Sequence, residues 1–188
     1  MKSLSLTEPH IIAMVGAPGA GKTRFALQFA ETFSAPFIND QPLRACATNP
    51  DEGSALGLEI IKQIMRTRET LVFEGELDMR IDRDALIKLA KTHGYKVLFV
   101  WVQADQQVAK ARALKQIAVD EYERRIKHFS APHESEPYIV ISGHHTHATQ
   151  TRTVLAHLAK PRAQAPVQAR TTVARTTPRR ATGQLRVN

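Results

Sequence analysis

The sequence predicts a doubly wound α/β fold, a mainly parallel five-stranded sheet with helices on both faces. Three observations carry this expectation. Short apolar runs recur without the polar alternation of a half-exposed sheet, segments of helical spacing separate them, and no run approaches the length needed to span a bilayer.

Taken in order, Ile11 to Val15 is a continuous apolar run that suits a strand buried on both faces, and the next helical segment is Thr23 to Phe33. Pro36-Phe37-Ile38 is a shorter strand, followed by helical spacing over Ala55 to Met65. Leu71 to Phe73 and the helix Asp82 to Lys91 form the next strand and helix pair. Val97 to Val102 is the longest strand, with Phe99 and Trp101 read as core, and two helices follow it, Gln106 to Leu114 and Val119 to His128. Tyr138 to Ile141 is the last strand and Gln150 to Leu158 the last helix.

Periodicity stops at Lys160, so the expected organisation is one domain over residues 1–159 and a tail over residues 160–188. The tail is rich in Ala, Thr, Pro and Arg and repeats Ala169-Arg170-Thr171-Thr172 as Ala174-Arg175-Thr176-Thr177. With few large apolar groups to offset ordering entropy, it is expected to be disordered. It also carries seven of the eight net positive charges and no Asp or Glu, which leaves the body at +1. Such a tail either solubilises the chain or touches nucleic acid or a particle surface. The lone Cys46 excludes an internal disulfide and fits a reducing, cytoplasmic setting. The polar Met1 to His10 stretch suggests neither export nor a membrane partner.

The chemistry begins at Gly16-Ala17-Pro18-Gly19-Ala20-Gly21-Lys22-Thr23, a glycine-rich turn between a strand and a helix. Backbone N–H groups of such a turn point inward at phosphates, the helix adds its positive end, Lys22 a mobile charge, and Thr23 a hydroxyl for Mg²⁺. This P-loop predicts binding of a nucleoside triphosphate with Mg²⁺. A single P-loop without an Asn-Lys-x-Asp motif for guanine favours a small ATP-dependent kinase. Such an enzyme needs a base for the acceptor hydroxyl and cations around the moving phosphoryl group.

Candidates lie where the strands end. Asp40 follows the second strand and Arg44 comes four residues on; the alternative reading of the pair is an Asn39-Asp40 turn that opens a helix. Glu74 follows the third strand, in the run Glu74-Gly75-Glu76, near Mg²⁺ or the acceptor. Arg83 and Arg112 are either site cations or solvated helix charges, and Lys115 is a further lid candidate. His144, His145 and His147 cluster after the last strand, where a solvated loop is the economical reading and the neighbouring backbone suits an adenine contact. Tyr122 and Arg124-Arg125 read as a solvated helix face.

Together, the P-loop, Asp40 with Arg44, Leu71 to Gly75, Arg83 with Leu86 and Ala90, Gly94-Tyr95, and Ala109 to Arg112 resemble a family. They look like the small P-loop kinases that include polynucleotide 5′-kinases, zeta-toxin kinases and related AAA-type ATPase-like kinases, with a nucleoside-kinase-like P-loop NTPase fold. The resemblance covers about Ile11 to Leu158. It implies Asp40 as general base, Arg44 as an acceptor- or phosphate-contacting group, Arg112 as a lid arginine, and Glu74 as the acid that helps zeta toxins bind a sugar nucleotide. Two departures stand out: Pro42 lengthens the segment between Asp40 and Arg44, and Gln116, beside Lys115, stands where a second lid arginine is expected. The function implied is transfer of the ATP γ-phosphoryl group to an acceptor hydroxyl, a polynucleotide 5′-hydroxyl foremost. The alternatives are a sugar nucleotide or other small molecule as acceptor, and a nucleotide-binding accessory protein or ATPase.

Overall fold

The computed structural model describes residue 4 and residues 6–159. The tail expected over residues 160–188 therefore lies outside the described residues. Five strands form one sheet: β1 (His10–Val15), β2 (Phe37–Asn39), β3 (Leu71–Glu74), β4 (Lys96–Gln103) and β5 (Tyr138–Ser142). Their order is β2-β3-β1-β4-β5, and every neighbouring pair is parallel. Seven helices accompany them among the described residues: α1 (Lys22–Phe33), α2 (Gln41–Cys46), α3 (Pro50–Met65), α4 (Arg80–Thr92), α5 (Gln106–Ala113), α6 (Val119–His128) and α7 (His147–Leu158).

Burial on both faces explains why the strands read as unbroken apolar runs. On β1, Ile12 and Met14 face a layer containing Phe25, Phe29 and Phe33 of α1 and Val154 of α7. Ile11, Ala13 and Val15 face the opposite layer, with Ile61 and Met65 of α3 and Leu86 and Ala90 of α4. Adjacent strands β1 and β3 thus send their chains to opposite faces, and this divergence opens the crevice at their carboxyl ends where α/β folds bind ligands. None of the helices among the described residues is long and apolar enough to cross a membrane.

The segment between β2 and β3 departs most from the sequence reading. Helix α3 starts at Pro50, five residues before the apolar periodicity begins, because Asn49 caps it by accepting from Asp51 N and Asp51 and Glu52 fill its first turn. The extra turn presents Gly53 to α2. A Cβ on Gly53 would come within 2.5 Å of Arg44 Cα, and one on Gly57 within 3.2 Å of Asp40 Cβ. Two glycines spaced by one helical turn therefore form a groove for a second helix, α2, on which Asp40 and Arg44 are also one turn apart. Pro42 sits in the first turn of α2, where its missing N–H costs nothing, so the longer spacing extends the helix without separating the pair.

Arg83 is neither a site cation nor a solvated charge. Its side chain is fully buried in α4, with Nε donating to Glu136 Oε1 at 2.6 Å and Nη2 to Glu136 Oε2 at 3.2 Å. Nη1 donates to Leu77 O at 2.9 Å and Ser130 O at 3.0 Å, tying the loop after β3 to the segment between α6 and β5. Removing one partner of a buried pair strands the other charge, so Arg83→Met should cost about 3–5 kcal/mol. Thermal unfolding should show the loss. The double variant Arg83→Met, Glu136→Gln should lose less than the two single losses combined, and additive losses would contradict this account.

Candidate active site

The P-loop leaves β1 at Gly16 and opens α1 at Lys22, so its residues lie in the crevice. Lys22 is buried, and Nζ donates to Gly16 O at 2.6 Å and Ala17 O at 3.2 Å. Burial lowers the pKa of this ammonium, and Asp78 and then Glu74 oppose that shift. Thr23 Oγ1 donates to Glu74 Oε1 at 2.9 Å, joining the start of α1 to the end of β3.

Glu74 is buried, and its Oε2 has no hydrogen-bond partner among the described residues. Desolvation raises its pKa, against the pull of Lys22 and the Thr23 hydroxyl. A hydroxyl and an under-coordinated carboxylate side by side are hard oxygen donors of the kind Mg²⁺ takes, so this corner fits the ion. The raised pKa has a stability consequence. The folded chain holds the Glu74 proton to higher pH than the unfolded chain, so the cost of the buried carboxylate appears as pH rises from the unfolded to the folded pKa and is complete above it. Glu74→Gln should therefore raise stability by about 1 kcal/mol at neutral to alkaline pH. In a melting series this amounts to roughly 2–4 °C. The advantage should shrink as pH falls through the folded pKa, and a gain that grows in acid would contradict the assignment.

Asp40 sits at the N-cap position of α2, but its side chain makes no capping bond. The carboxylate is buried and turned toward Gly75, where a Cβ would lie 2.8 Å from Oδ2. Burial raises its pKa, opposed by Arg44 and by a hydrogen bond from the Glu76 backbone. Arg44 pairs with Glu76 through Nη2, and its Nε is buried without a partner among the described residues. The helix-start explanation of Asp40 thus accounts for its backbone but not for its side chain.

Lys22, Thr23, Asp40, Arg44 and Glu74 line one open cavity of about 410 Å³. Arg112, at the end of α5, and Lys115, Gln116 and Ile117 beyond it also line it. Of the P-loop residues, Pro18, Gly19 and Gly21 line this cavity with Lys22 and Thr23. A smaller cavity of about 70 Å³ adjoins, bounded by Gly21, Phe25, Arg112, Gly143, His145 and His147 among others. Arg112 borders both. Of the three clustered histidines, His147 opens α7, with its ring 5.8 Å from that of Phe25, while His144 and His145 are exposed.

Arg125 and its partner Asp78 escaped the sequence reading. Arg125, read as part of a solvated face, lines the large cavity, and Tyr122, three residues before it, is buried. Arg125 donates to Asp78 Oδ2, and Asp78 opposes the burial that lowers the Lys22 pKa. The available signal was the apolar spacing Tyr122, Ile126, Phe129, which turns one side of α6 inward and brings Arg125 with it.

Over residues 11–129 the sequence matches the AAA domain family. The chain belongs to this family. Solved structures with the same architecture include a gluconokinase from Sinorhizobium meliloti, 21% identical with a TM-score of 0.60, the alignment covering 80% of this chain and 92% of that one. Kti12 from Chaetomium thermophilum, in complex with ADP-AlF3, is 14% identical with a TM-score of 0.65, covering 81% of this AAA-domain chain and 100% of its own. The APS kinase of Mycobacterium tuberculosis, in complex with AMPPNP and APS, is 12% identical with a TM-score of 0.62, covering 83% and 100%. At these identities the likeness establishes the fold. No curated protein matches the chain.

Proposed function

We propose that this AAA-domain protein is an ATP-dependent phosphotransferase that moves the γ-phosphoryl group to an acceptor hydroxyl. The observation that carries this reading is the Asp40 carboxylate, buried, free of any capping role, and lining the same cavity as the P-loop residues Lys22 and Thr23. A pure NTPase needs no second buried acid across the cavity from its P-loop; a kinase needs one to accept the proton of the acceptor hydroxyl.

In this mechanism Asp40 takes that proton as the acceptor oxygen bonds the γ-phosphorus. The bond from the γ-phosphorus to the β–γ bridging oxygen breaks, and its electron pair leaves on ADP. The raised pKa of Asp40 makes it a stronger base than an ordinary carboxylate. Lys22 exchanges the carbonyls of Gly16 and Ala17 for phosphate oxygens, and Arg112 follows the phosphates between the two cavities, with the smaller one taking the adenine. Thr23 and Glu74 would hold Mg²⁺, which when bound neutralises charge on the β- and γ-oxygens. Arg44, one turn from Asp40, faces the acceptor.

A polynucleotide 5′-hydroxyl is the acceptor this reading favours, because the seven cations from Lys160 to Arg186 would attract a polyanionic substrate. A sugar nucleotide is the second reading, favoured by Glu74 and Asp40 lining one cavity next to Gly75. The test is transfer of labelled γ-phosphate from ATP with Mg²⁺ to 5′-hydroxyl DNA and RNA and to a panel of nucleosides and sugar nucleotides. Label on a polynucleotide that falls as salt rises supports the first acceptor, and salt-insensitive label on a small molecule the second. Nucleotide binding without label on any acceptor would overturn the phosphotransferase and leave a nucleotide-binding accessory protein.

A further inference from the structure

The two adjacent arginines of α6 are held in opposite ways. Arg124 is exposed and grips Glu121 with two bonds, Nε to Oε2 at 2.8 Å and Nη2 to Oε1 at 2.9 Å. Arg125 points into the large cavity, and its Nε and Nη2 both lie 3.4 Å from a single oxygen, Asp78 Oδ2. This contact is long and uses one carboxylate oxygen, whereas a strong guanidinium–carboxylate fork uses two, each at under about 3 Å. Arg125 is therefore a guanidinium mostly withdrawn from solvent, loosely held, in the cavity that contains Lys22 and Thr23.

Its surroundings say what it is suited to meet. Arg125 lines the same cavity as Lys22, Thr23, Asp40 and Glu74, so its positive charge sits within one site with all four. Besides Arg112, the segment after α5 contributes Gln116, which offers no charge, and the exposed Lys115, which offers a point charge without a fork. A γ-phosphate bound over Lys22 carries more negative charge than Asp78 and presents two oxygens at fork spacing, so it would outcompete Asp78 for the guanidinium.

We infer that Arg125 binds the γ-phosphate of the nucleoside triphosphate and holds the phosphoryl group as it moves, with Asp78 as its resting partner. This rests on the phosphotransferase reading above. The bonds made and broken are those already given, and Arg125 contributes charge to the three oxygens of the transferring group. The residue thus supplies, from α6, the second arginine that the segment after α5 lacks.

The test compares binding of ADP and of the non-hydrolysable β,γ-imido-ATP, each with Mg²⁺, to the full chain by calorimetry. Wild type should prefer the triphosphate. Loss of a charged hydrogen-bond donor to the γ-phosphate in Arg125→Ala should cut that preference by about 10-fold or more, with ADP affinity within about twofold of wild type. Arg125→Lys should fall between the two, and Asp78→Asn should strengthen the preference by releasing the guanidinium. Melting curves establish that each variant folds, and Arg125→Gln replaces Arg125→Ala if the latter does not. An unchanged preference in Arg125→Ala or Arg125→Gln, or equal loss of both nucleotides, would overturn the inference, as would a wild type that binds both equally. A wild type that binds neither nucleotide would instead overturn the phosphotransferase reading on which it stands.

Discussion

Asp40→Asn should lower acceptor phosphorylation by about 10²–10⁴-fold, the usual effect of losing a positioned general base. ATP affinity should stay within a few-fold of wild type. Asparagine keeps the size of the side chain and an oxygen for the Glu76 backbone but cannot take a proton. The packing that presents it also survives, because Gly57 meets the Cβ of Asp40 and not its carboxylate. Stability offers an independent reading of the same change. Burial raises the Asp40 pKa, so the ionised side chain costs the folded state most above that pKa, and Asp40→Asn should melt no lower than wild type at neutral pH. Single-turnover transfer, nucleotide titration and melting curves together check this. A variant that loses ATP binding and transfer in equal measure would make Asp40 a structural residue of the P-loop wall and remove the base from the mechanism.

The second large effect belongs to Gly19. Its φ is +79°, and a Cβ there would overlap the Ala109 carbonyl oxygen and lie 2.9 Å from Ala113 N, both backbone atoms of α5. Backbone cannot swing aside as a long side chain does, so Gly19→Ala must push α5 away from the P-loop and carry Arg112 with it. The cost of left-handed strain plus overlap should reach several kcal/mol, a fall in melting temperature on the order of 10 °C, with nucleotide affinity reduced at least about tenfold. Gly21→Ala is the control. Gly21 has φ +105°, but a methyl group there would meet no atom within 4 Å, so only strain of about 1–2 kcal/mol applies. Equal losses in the two variants would mean that the close contact of the P-loop with α5 is not what holds the loop.

Much of the fold was legible because its strands are buried on both faces and its helices are long enough to show a period. Ile11 to Val15 and Val97 to Val102 stand out as apolar runs for this reason, and the parallel sheet followed from alternation with helices. α2 was legible only as a helix start at Asn39-Asp40, because it spans six residues, none of them buried, and has no apolar face to announce it. The start of α3 was placed late because its first turn is polar and packs through Gly53, a residue that contributes to no hydrophobic pattern. At the site, the P-loop was legible because one contiguous segment holds all its groups. Arg83 and Arg125 were not, since an arginine looks alike in sequence whether it faces water, a buried glutamate or a cavity.

By itself the sequence determined the P-loop, the α/β alternation and the positions of Asp40, Arg44, Glu74 and Arg112 along the chain, because each follows from local chemistry or from a period within one element. Only the tertiary structure decided which charges meet. Thr23 and Glu74 are 51 positions apart, Arg125 and Asp78 47, and Arg83 and Glu136 53, and each pair forms because the packed sheet and helices bring distant segments together. Pairings at such separations are set by the packing of both core layers, which no local pattern records.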